Sequence, residues 1–378
     1  MNRSNPRASG TSGANLPALR SHNAALVLDL LRTAGDAGIS RLELAERTGL
    51  TPQAVSKITA RLRAEGTATE AGRRASTGGK PRTVLKLVPS AGHAIGLHLD
   101  RDELTAVLVD LAGTLVGVRT VPLDFGAGHD TVVEAAAREA ESLIGGRRVL
   151  GVGVASPGPL DHHTGVLHRV TGFPLWNGFP LRDALADRLG LPVVLDKDTN
   201  AAALGLALRG PADSFAYLHL GTGLGAGLVL DGTLLRGSRT GAGEFGHQTI
   251  LLGGPACGCG ARGCIEALCL SSVARGDIAA AARFLGVGAA NLVGLLDIDR
   301  VLLGGRTVMG APDSFVRGVR AVLEERARRG GGDARAIPVS VTPGGPHAVA
   351  EGAARLILGP VFGHGAAGPG QRLAGDAG

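Results

Sequence analysis

The sequence predicts a small basic module of three helices and a β-hairpin, followed by a larger α/β domain. Three observations carry this. Charge is divided: residues 1–90 hold 14 Lys/Arg against 6 Asp/Glu, whereas the rest of the chain holds 25 against 27. Helix-start and helix-stop residues cluster in the first quarter. Beyond residue 90, short apolar runs alternate with Ala-rich stretches of helical character, the rhythm of an α/β domain. With 378 residues, 44% of them hydrophobic, the chain is long enough for two or three domains. Aromatic residues make up only 3%, which argues against base stacking on single-stranded nucleic acid. No run reaches the ~18 apolar residues of a membrane helix. The opening "MNRSNPRASGTSGANLPALR" lacks the apolar centre of a secretory signal and reads as a disordered arm over residues 1–19. Cytoplasmic residence is the expectation, without a membrane partner and without structural disulfides.

In "HNAALVLDLLRTAG", Ala25, Leu28 and Leu31 recur at helical spacing, and Gly35 and Gly38 end the helix. "SRLELAERTGL" opens on Ser40 with Glu43 three residues later, a capping box. Leu42, Leu44 and Ala45 supply its apolar contacts, and Gly49 stops it. In "TPQAVSKITARLRAEG", Thr51 is a good N-cap and Pro52 suits the first helical position. Val55, Ile58 and Leu62 form one stripe; Gln53, Ser56, Lys57, Thr59 and Arg61 lie off it. Two short helices about a Gly-containing turn make a helix-turn-helix whose second helix reads double-stranded DNA. Gln53 and Ser56 stand near its N-terminus, where side chains reach base edges, while Lys57 and Arg61 suit phosphates. The next stretch, "TATEAGRRASTGGKPRTVLKLVP", reads as two strands around a Gly-rich tip crowded by Arg73, Arg74, Lys80 and Arg82, the wing of a winged helix-turn-helix over residues 20–90.

From Gly96, "IGLHLDRDELTAVLVDLAGTLV" reads as two strands around a turn, and "VLGVGVASPGPLD" as a strand ending in a Gly-Pro loop. "LPVVLDKDTNAAALG" is a strand leading into an Ala-rich helix. "FAYLHLGTGLGAGLVLDGTLL" is a strand, a Gly-rich turn and a second strand, and "DRVLLGG" is a late strand. The winged segment with "TGGKPR", then "SPGPLD", "DKDTNAAALG", "GTGLGAG" and "GEFGH…CGCGARGCIE" together resemble the transcriptional regulators of the ROK family (repressors, open reading frames and kinases), of the N-acetylglucosamine and xylose repressor type. The resemblance covers about residues 20–365. It implies a two-lobed sugar-kinase fold of the actin-like ATPase (ribonuclease H-like) class over residues 91–365, with a sugar effector in the cleft, and it leaves residues 366–378 as a flexible tail. A homodimer or higher oligomer on operator DNA follows from the family and from two-fold operator logic.

His247, Cys257, Cys259 and Cys264 are spaced H-x9-C-x-C-x4-C, one imidazole and three thiols, which suits a closed structural Zn²⁺ site. Cys269 stands outside the pattern as a core thiol. By resemblance, Glu244, His247 and Glu266 face the sugar. Asp198 matches the aspartate that takes the sugar hydroxyl's proton in kinase members, a sensible base or acceptor. These acids favour a neutral or N-acetylated hexose-like ligand over a sugar phosphate. The sequence also departs from the family in three places. Asp100 and Arg101 replace the two glycines of the first phosphate loop, so ATP-dependent kinase activity is not expected. Gly172 stands where a ligand-binding Asn is usual. The segment around Val273–Asp277 is short. The reading is a sugar-responsive repressor. The rivals are a ROK sugar kinase fused to a DNA reader and a ligand-independent DNA-binding protein with a decayed sugar site.

Overall fold

A computed structural model describes residues 16–76, 79–210, 213–330 and 337–364, with the backbone alone at 16–20, 73–76, 79–81 and 330. The expected tail over 366–378 lies outside the described residues, as do residues 1–15 of the expected arm; residues 16–19 instead open the first helix. The described residues divide into two compact units, 89–359 forming one and 16–88 together with 360–364 the other.

The smaller unit is built from α1 (Leu16–Ala34), β1 (Ile39–Ser40), α2 (Arg41–Thr48), α3 (Pro52–Ala64), β2 (Ala68–Ser76) and β3 (Gly79–Leu87). Helix α1 buries Ala24, Ala25, Val27 and Leu31, so the core-facing stripe runs through Val27 and leaves Leu28 half-buried. The capping box at α2 forms reciprocally: Glu43 N–H donates to Ser40 Oγ at 3.3 Å, and Ser40 N–H to Glu43 Oε2 at 2.8 Å. Gly49 closes α2 with φ 68°, a left-handed conformation that costs glycine little. Thr51 Oγ1 accepts from Ala54 N–H at 3.2 Å and starts α3. Two side chains depart from the pattern reading. Thr59 is fully buried, because its hydroxyl donates back to the Val55 carbonyl at 2.8 Å and so satisfies itself inside the core. Leu42 is 42% exposed on the first turn of α2. Strands β2 and β3 pair antiparallel, with Arg74 opposite Arg82, and β1 pairs with β3 on its other side, completing the wing. The segment after residue 359 packs on α1: His364 Nε2 lies 3.1 Å from Asp29, and Arg32 sits over the Phe362 ring.

The larger unit repeats one plan twice. The first sheet holds β4 (His93–Leu99), β5 (Glu103–Asp110), β6 (Leu115–Pro122), β7 (Val149–Ser156) and β10 (Val193–Lys197), in the order β10-β7-β4-β5-β6. Helix α4 (His129–Ile144), the small ribbon of β8 (Leu160–Asp161) with β9 (Val166–Leu167), and α5 (Leu181–Leu189) lie between its strands in sequence. The second sheet holds β11 (Phe215–Leu220), β12 (Leu224–Leu230), β13 (Thr233–Leu235), β14 (Arg300–Gly304) and β15 (Val339–Val341), in the order β13-β12-β11-β14-β15. In each sheet the central strand, β4 or β11, carries an antiparallel neighbour on one side and a parallel one on the other. That is the α/β two-lobed fold the sequence implied. Helices α6 (Asp198–Ala207), α7 (Ile265–Ala274), α8 (Ile278–Leu296), α9 (Arg306–Gly310), α10 (Pro312–Gly330) and α11 (Ala348–Val361) complete the unit.

Helix α8 is long and apolar enough to cross a membrane by length and composition, yet it buries Ala281, Leu285 and Ala289 in the core of the second sheet. Helix α11 lies directly on the first sheet. A Cβ at Gly153 would stand 1.8 Å from the Ala353 carbonyl oxygen, and one at Gly96 1.9 Å from that of Ala350. Glycine is what lets this helix backbone touch the sheet backbone.

Candidate functional site

On the smaller unit, α3 presents Gln53, Ser56, Lys57 and Arg61, all exposed. Arg61 shares its face with Glu65 at 3.6 Å, both half exposed, so the pair leaves the guanidinium accessible. Arg82 is also exposed, on the strand that returns from the hairpin tip. The side chains of Arg73, Arg74 and Lys80 lie outside the described residues.

In the larger unit a pocket open to solvent gathers side chains from many segments. Asp198, Glu244, His247 and Glu266, distant in sequence, all line it. Asp198 sits where β10 turns into α6, and its carboxylate accepts the Thr199 N–H at 2.6 Å, so the helix-terminal role and the pocket role coincide in one residue. Glu266 is 7% exposed in the first turn of α7, and its Oε2 accepts the Leu224 N–H at 2.8 Å. Carboxylates placed this way accept hydrogen bonds from hydroxyl groups.

Other residues that line the pocket were not among the sequence's sugar-binding candidates. Lys197, 4% exposed, donates to Glu244 Oε1 at 2.7 Å and to the Ala242 carbonyl at 2.9 Å. Its signal was in plain view, as the middle residue of "DKD", but its partner is 47 positions away. Gly158 lies against the Lys197 stem, where a Cβ would meet Cδ at 3.1 Å. Arg101 enters from the β4–β5 turn, and His219 from β11.

The β4–β5 turn, where the resemblance led to the expectation of a lost phosphate loop, carries charge. Thr222 Oγ1 donates to Asp100 Oδ1 at 2.6 Å. Arg306 donates to Asp102 at 2.5 Å and lies 3.7 Å from Asp100. Burial opposes ionisation of Asp100, but the His98 ring, the Thr222 hydroxyl and the Arg101 N–H outweigh it and hold its carboxyl below the usual range. Beneath them His98 is held neutral to lower pH than an ordinary histidine, chiefly by burial. It meets His219 edge-on at 6.2 Å between ring centroids, and His219 Nδ1 shares a 2.8 Å hydrogen bond with Tyr217.

Beside the pocket, one ligand atom from each of His247, Cys257, Cys259 and Cys264 lies within 4.8 Å of the others. Cys259 Sγ stands 3.8 Å from Cys264 Sγ, and Cys257 Sγ 3.7 Å from His247 Nδ1. Those separations match the edges of a tetrahedron with metal–ligand bonds of about 2.0–2.3 Å. Cys257 and Cys264 are buried and Cys259 is exposed. The four residues could hold a metal ion. His247 Nδ1 faces the thiols, leaving Nε2 as its other polar atom. Cys269 stands apart, its thiol donating to the Ala281 carbonyl at 3.5 Å and pushed up to about 12 by burial. Gly172 has φ 86°, and a Cβ added there would meet nothing within 4 Å, so backbone conformation rather than crowding favours glycine.

Residues 94–274 match the family model of the ROK family, and residues 26–67 match one for winged helix-turn-helix DNA-binding segments. The chain is 26% identical over 340 residues to a xylose repressor of Caldicellulosiruptor bescii, covering 76% of this chain and 84% of that protein. Among solved structures it is similar to a ROK hexokinase from Thermus thermophilus, at 33% identity and TM-score 0.55, over 69% of this chain and 96% of that one. A ROK family transcriptional regulator described as a homologue of the Escherichia coli Mlc protein shares the fold at TM-score 0.73 and 23% identity, over 91% of this chain and 97% of its own.

Proposed function

This chain belongs to the ROK family, and from that premise we propose that it is a sugar-responsive transcriptional repressor. One observation carries the reading. A winged helix-turn-helix is joined to a domain whose pocket is lined by Asp198, Glu244, His247 and Glu266, while Asp100 and Arg101 form the turn that the family resemblance gives as the first phosphate loop. Close backbone approach to a triphosphate needs glycine and N–H groups. Here the loop instead carries two carboxylates tied to Arg306.

Gln53 and Ser56 read base edges in the major groove, and Lys57, Arg61 and Arg82 hold phosphates, joined by Arg73, Arg74 and Lys80 at the wing. Two copies on a two-fold operator give the DNA partner its symmetry. In the pocket, sugar hydroxyls donate to Asp198, Glu244 and Glu266, and His247 Nε2 meets one more. His247, Cys257, Cys259 and Cys264 would hold a structural Zn²⁺, which when bound supplies a rigid knot that sets the ring angle of His247 and the position of Glu266. Sugar binding changes DNA affinity only through different sugar affinities of two conformations of the chain. On this reading the protein works in the cytoplasm, on the nucleoid when DNA-bound.

The test uses the full chain with sheared genomic DNA. Retained fragments are sequenced, and their binding is measured again with xylose, glucose and N-acetylglucosamine. A reproducible motif whose binding one sugar weakens is the expected result; a chain that retains no sequence in preference to bulk DNA sinks the reading. The rival kinase reading draws on Asp198, the retained "GTGLGAG" turn and the hexokinase likeness. Sugar phosphate formed from ATP, and lost in Asp198→Asn, would establish it.

A further inference from the structure

We propose that Arg41, at the start of α2, contacts a DNA phosphate with a guanidinium held in place by the buried hydroxyl of Thr59 on α3. The inference rests on the DNA-binding reading above and adds to it one contact and the residue that positions it.

Thr59 lies in the helix that carries the reading face, yet it is polar and fully buried. Its hydroxyl donates to the Val55 carbonyl at 2.8 Å, which satisfies the proton within α3. The oxygen's lone pairs remain, and Arg41 Nε donates to the same oxygen at 3.2 Å. A hydroxyl is costly inside a core unless it is bonded. This one is bonded twice, and the second bond fixes an arginine of the neighbouring helix.

The stem of Arg41 leaves the backbone at a rigid point. Ser40, immediately before it, pairs with Val84 of β3 and closes the capping box with Glu43. With the backbone set at one end and Nε at the other, the side chain has little rotamer freedom left to lose on binding. Nε is spent on Thr59, which leaves the two terminal nitrogens. Among the described residues no carboxylate lies within 4.0 Å of them, whereas Arg32, Arg63 and Lys86 of the same unit are paired with Asp29, Glu70 and Asp36.

Its position names the ligand. Gln53, Ser56 and Thr59 follow one another at three-residue spacing and form one oblique row along α3. Gln53 and Ser56 are exposed and Thr59 is buried, so the row runs from the reading face into the contact with α2. Half-buried Arg41 stands at that border, on a hydroxyl that also lies 3.2 Å from the Ser56 carbonyl. Helix α3, "PQAVSKITARLRA", holds no Asp or Glu, and its exposed face already carries Lys57 and Arg61. One more cation beside these is unfavourable in the free chain and favourable against an anion. With α3 in the major groove, the rim beside its face is a phosphate backbone, and two terminal guanidinium nitrogens match two phosphate oxygens.

The experiment follows fluorescence anisotropy of a labelled duplex of mixed sequence, titrated with the full chain over a series of KCl concentrations. The proteins are the wild type, Arg41→Gln, Arg41→Lys, Thr59→Val and the double variant Arg41→Gln/Thr59→Val. Arg41→Gln should make the slope of log affinity against log salt shallower by about 0.9, the share of one phosphate, and weaken low-salt binding about tenfold. Arg41→Lys keeps the charge but cannot serve Thr59 and a phosphate together, so it should keep the slope and recover part of the affinity. Thr59→Val should weaken binding by about threefold when Arg41 is present and not at all in Arg41→Gln. The salt slope is a readout that a purely structural tie between α2 and α3 would not move. The two Arg41 variants, changed at a half-exposed side chain, carry the test even where Thr59→Val unfolds. A wild-type slope in Arg41→Gln, or losses that add in full in the double variant, overturns the proposal and leaves the DNA-binding reading standing. A wild type that binds no duplex at any salt overturns both.

Discussion

Cys259→Ala tests the metal knot most cleanly. Cys259 is the exposed member of the four, so its removal leaves the packing around buried Cys257 and Cys264 in place. The 3.8 Å between Cys259 and Cys264 Sγ is the edge length of a zinc–thiolate tetrahedron with bonds of about 2.3 Å. Structural zinc contributes about 10–16 kcal/mol of binding, spread over four ligands. Losing one ligand therefore removes about 3 kcal/mol, roughly a hundredfold in metal affinity. Since only the folded chain presents the site, that loss returns as stability, and the melting temperature should fall by about 6 °C or more. The assay is zinc content after exhaustive dialysis, alongside scanning calorimetry. Wild type should hold one zinc per chain and Cys259→Ala well under that. Cys269→Ala is the control: a core thiol bonded to Ala281 should keep its zinc and lose only about 1–2 kcal/mol to the small cavity. A Cys259→Ala protein that retains zinc at full stoichiometry, or a wild type that is metal-free and fully folded, refutes the reasoning.

Gln53→Ala should change sequence preference and lose about 1–3 kcal/mol on the preferred site, whereas Lys57→Ala should weaken all duplexes alike and lower the salt dependence; identical specificity profiles for the two would refute the division of roles. Gly153→Ala should cost about 3 kcal/mol or fail to fold, because its Cβ would stand 1.8 Å from the Ala353 carbonyl oxygen, and urea midpoints check this. Burial lowers the proton affinity of His98, with Asp100 and Asp198 opposing that shift and His219 and Arg306 adding to it; Tyr217, bonded to His219, has its own phenol raised. The unfolded chain then takes up this proton first as pH falls, so the stability His98 contributes is full above about pH 6.5 and is lost as pH drops below it toward the folded value. His98→Gln should flatten the decline in urea midpoint over that window, and an unchanged slope would contradict it. Glucose with ATP should yield no sugar phosphate, measured by a coupled assay, as expected of a loop in which Asp100 and Asp102 flank Arg306.

What the sequence determined by itself was local or periodic. The capping box of Ser40 and Glu43, the Gly49 stop and the Thr51 cap each involve residues within a few positions, and each forms as written. The four metal-binding candidates lie within 18 residues, so their spacing exposed them without any knowledge of the fold. Burial along a helix was less legible. Thr59 went inside because a hydroxyl can bond its own helix's carbonyl, which residue type alone does not reveal. The tertiary structure alone decided what each charge faces. Lys197 meets Glu244 across 47 residues, and Arg306 meets Asp102 across 204. Arg101, which the sequence offered only as a lost phosphate loop, reaches the Phe173 ring. Electrostatic energy depends on separation in space and on burial, and for residues this far apart both are set by how the strands pair and where the loops close, which no local pattern in the chain records.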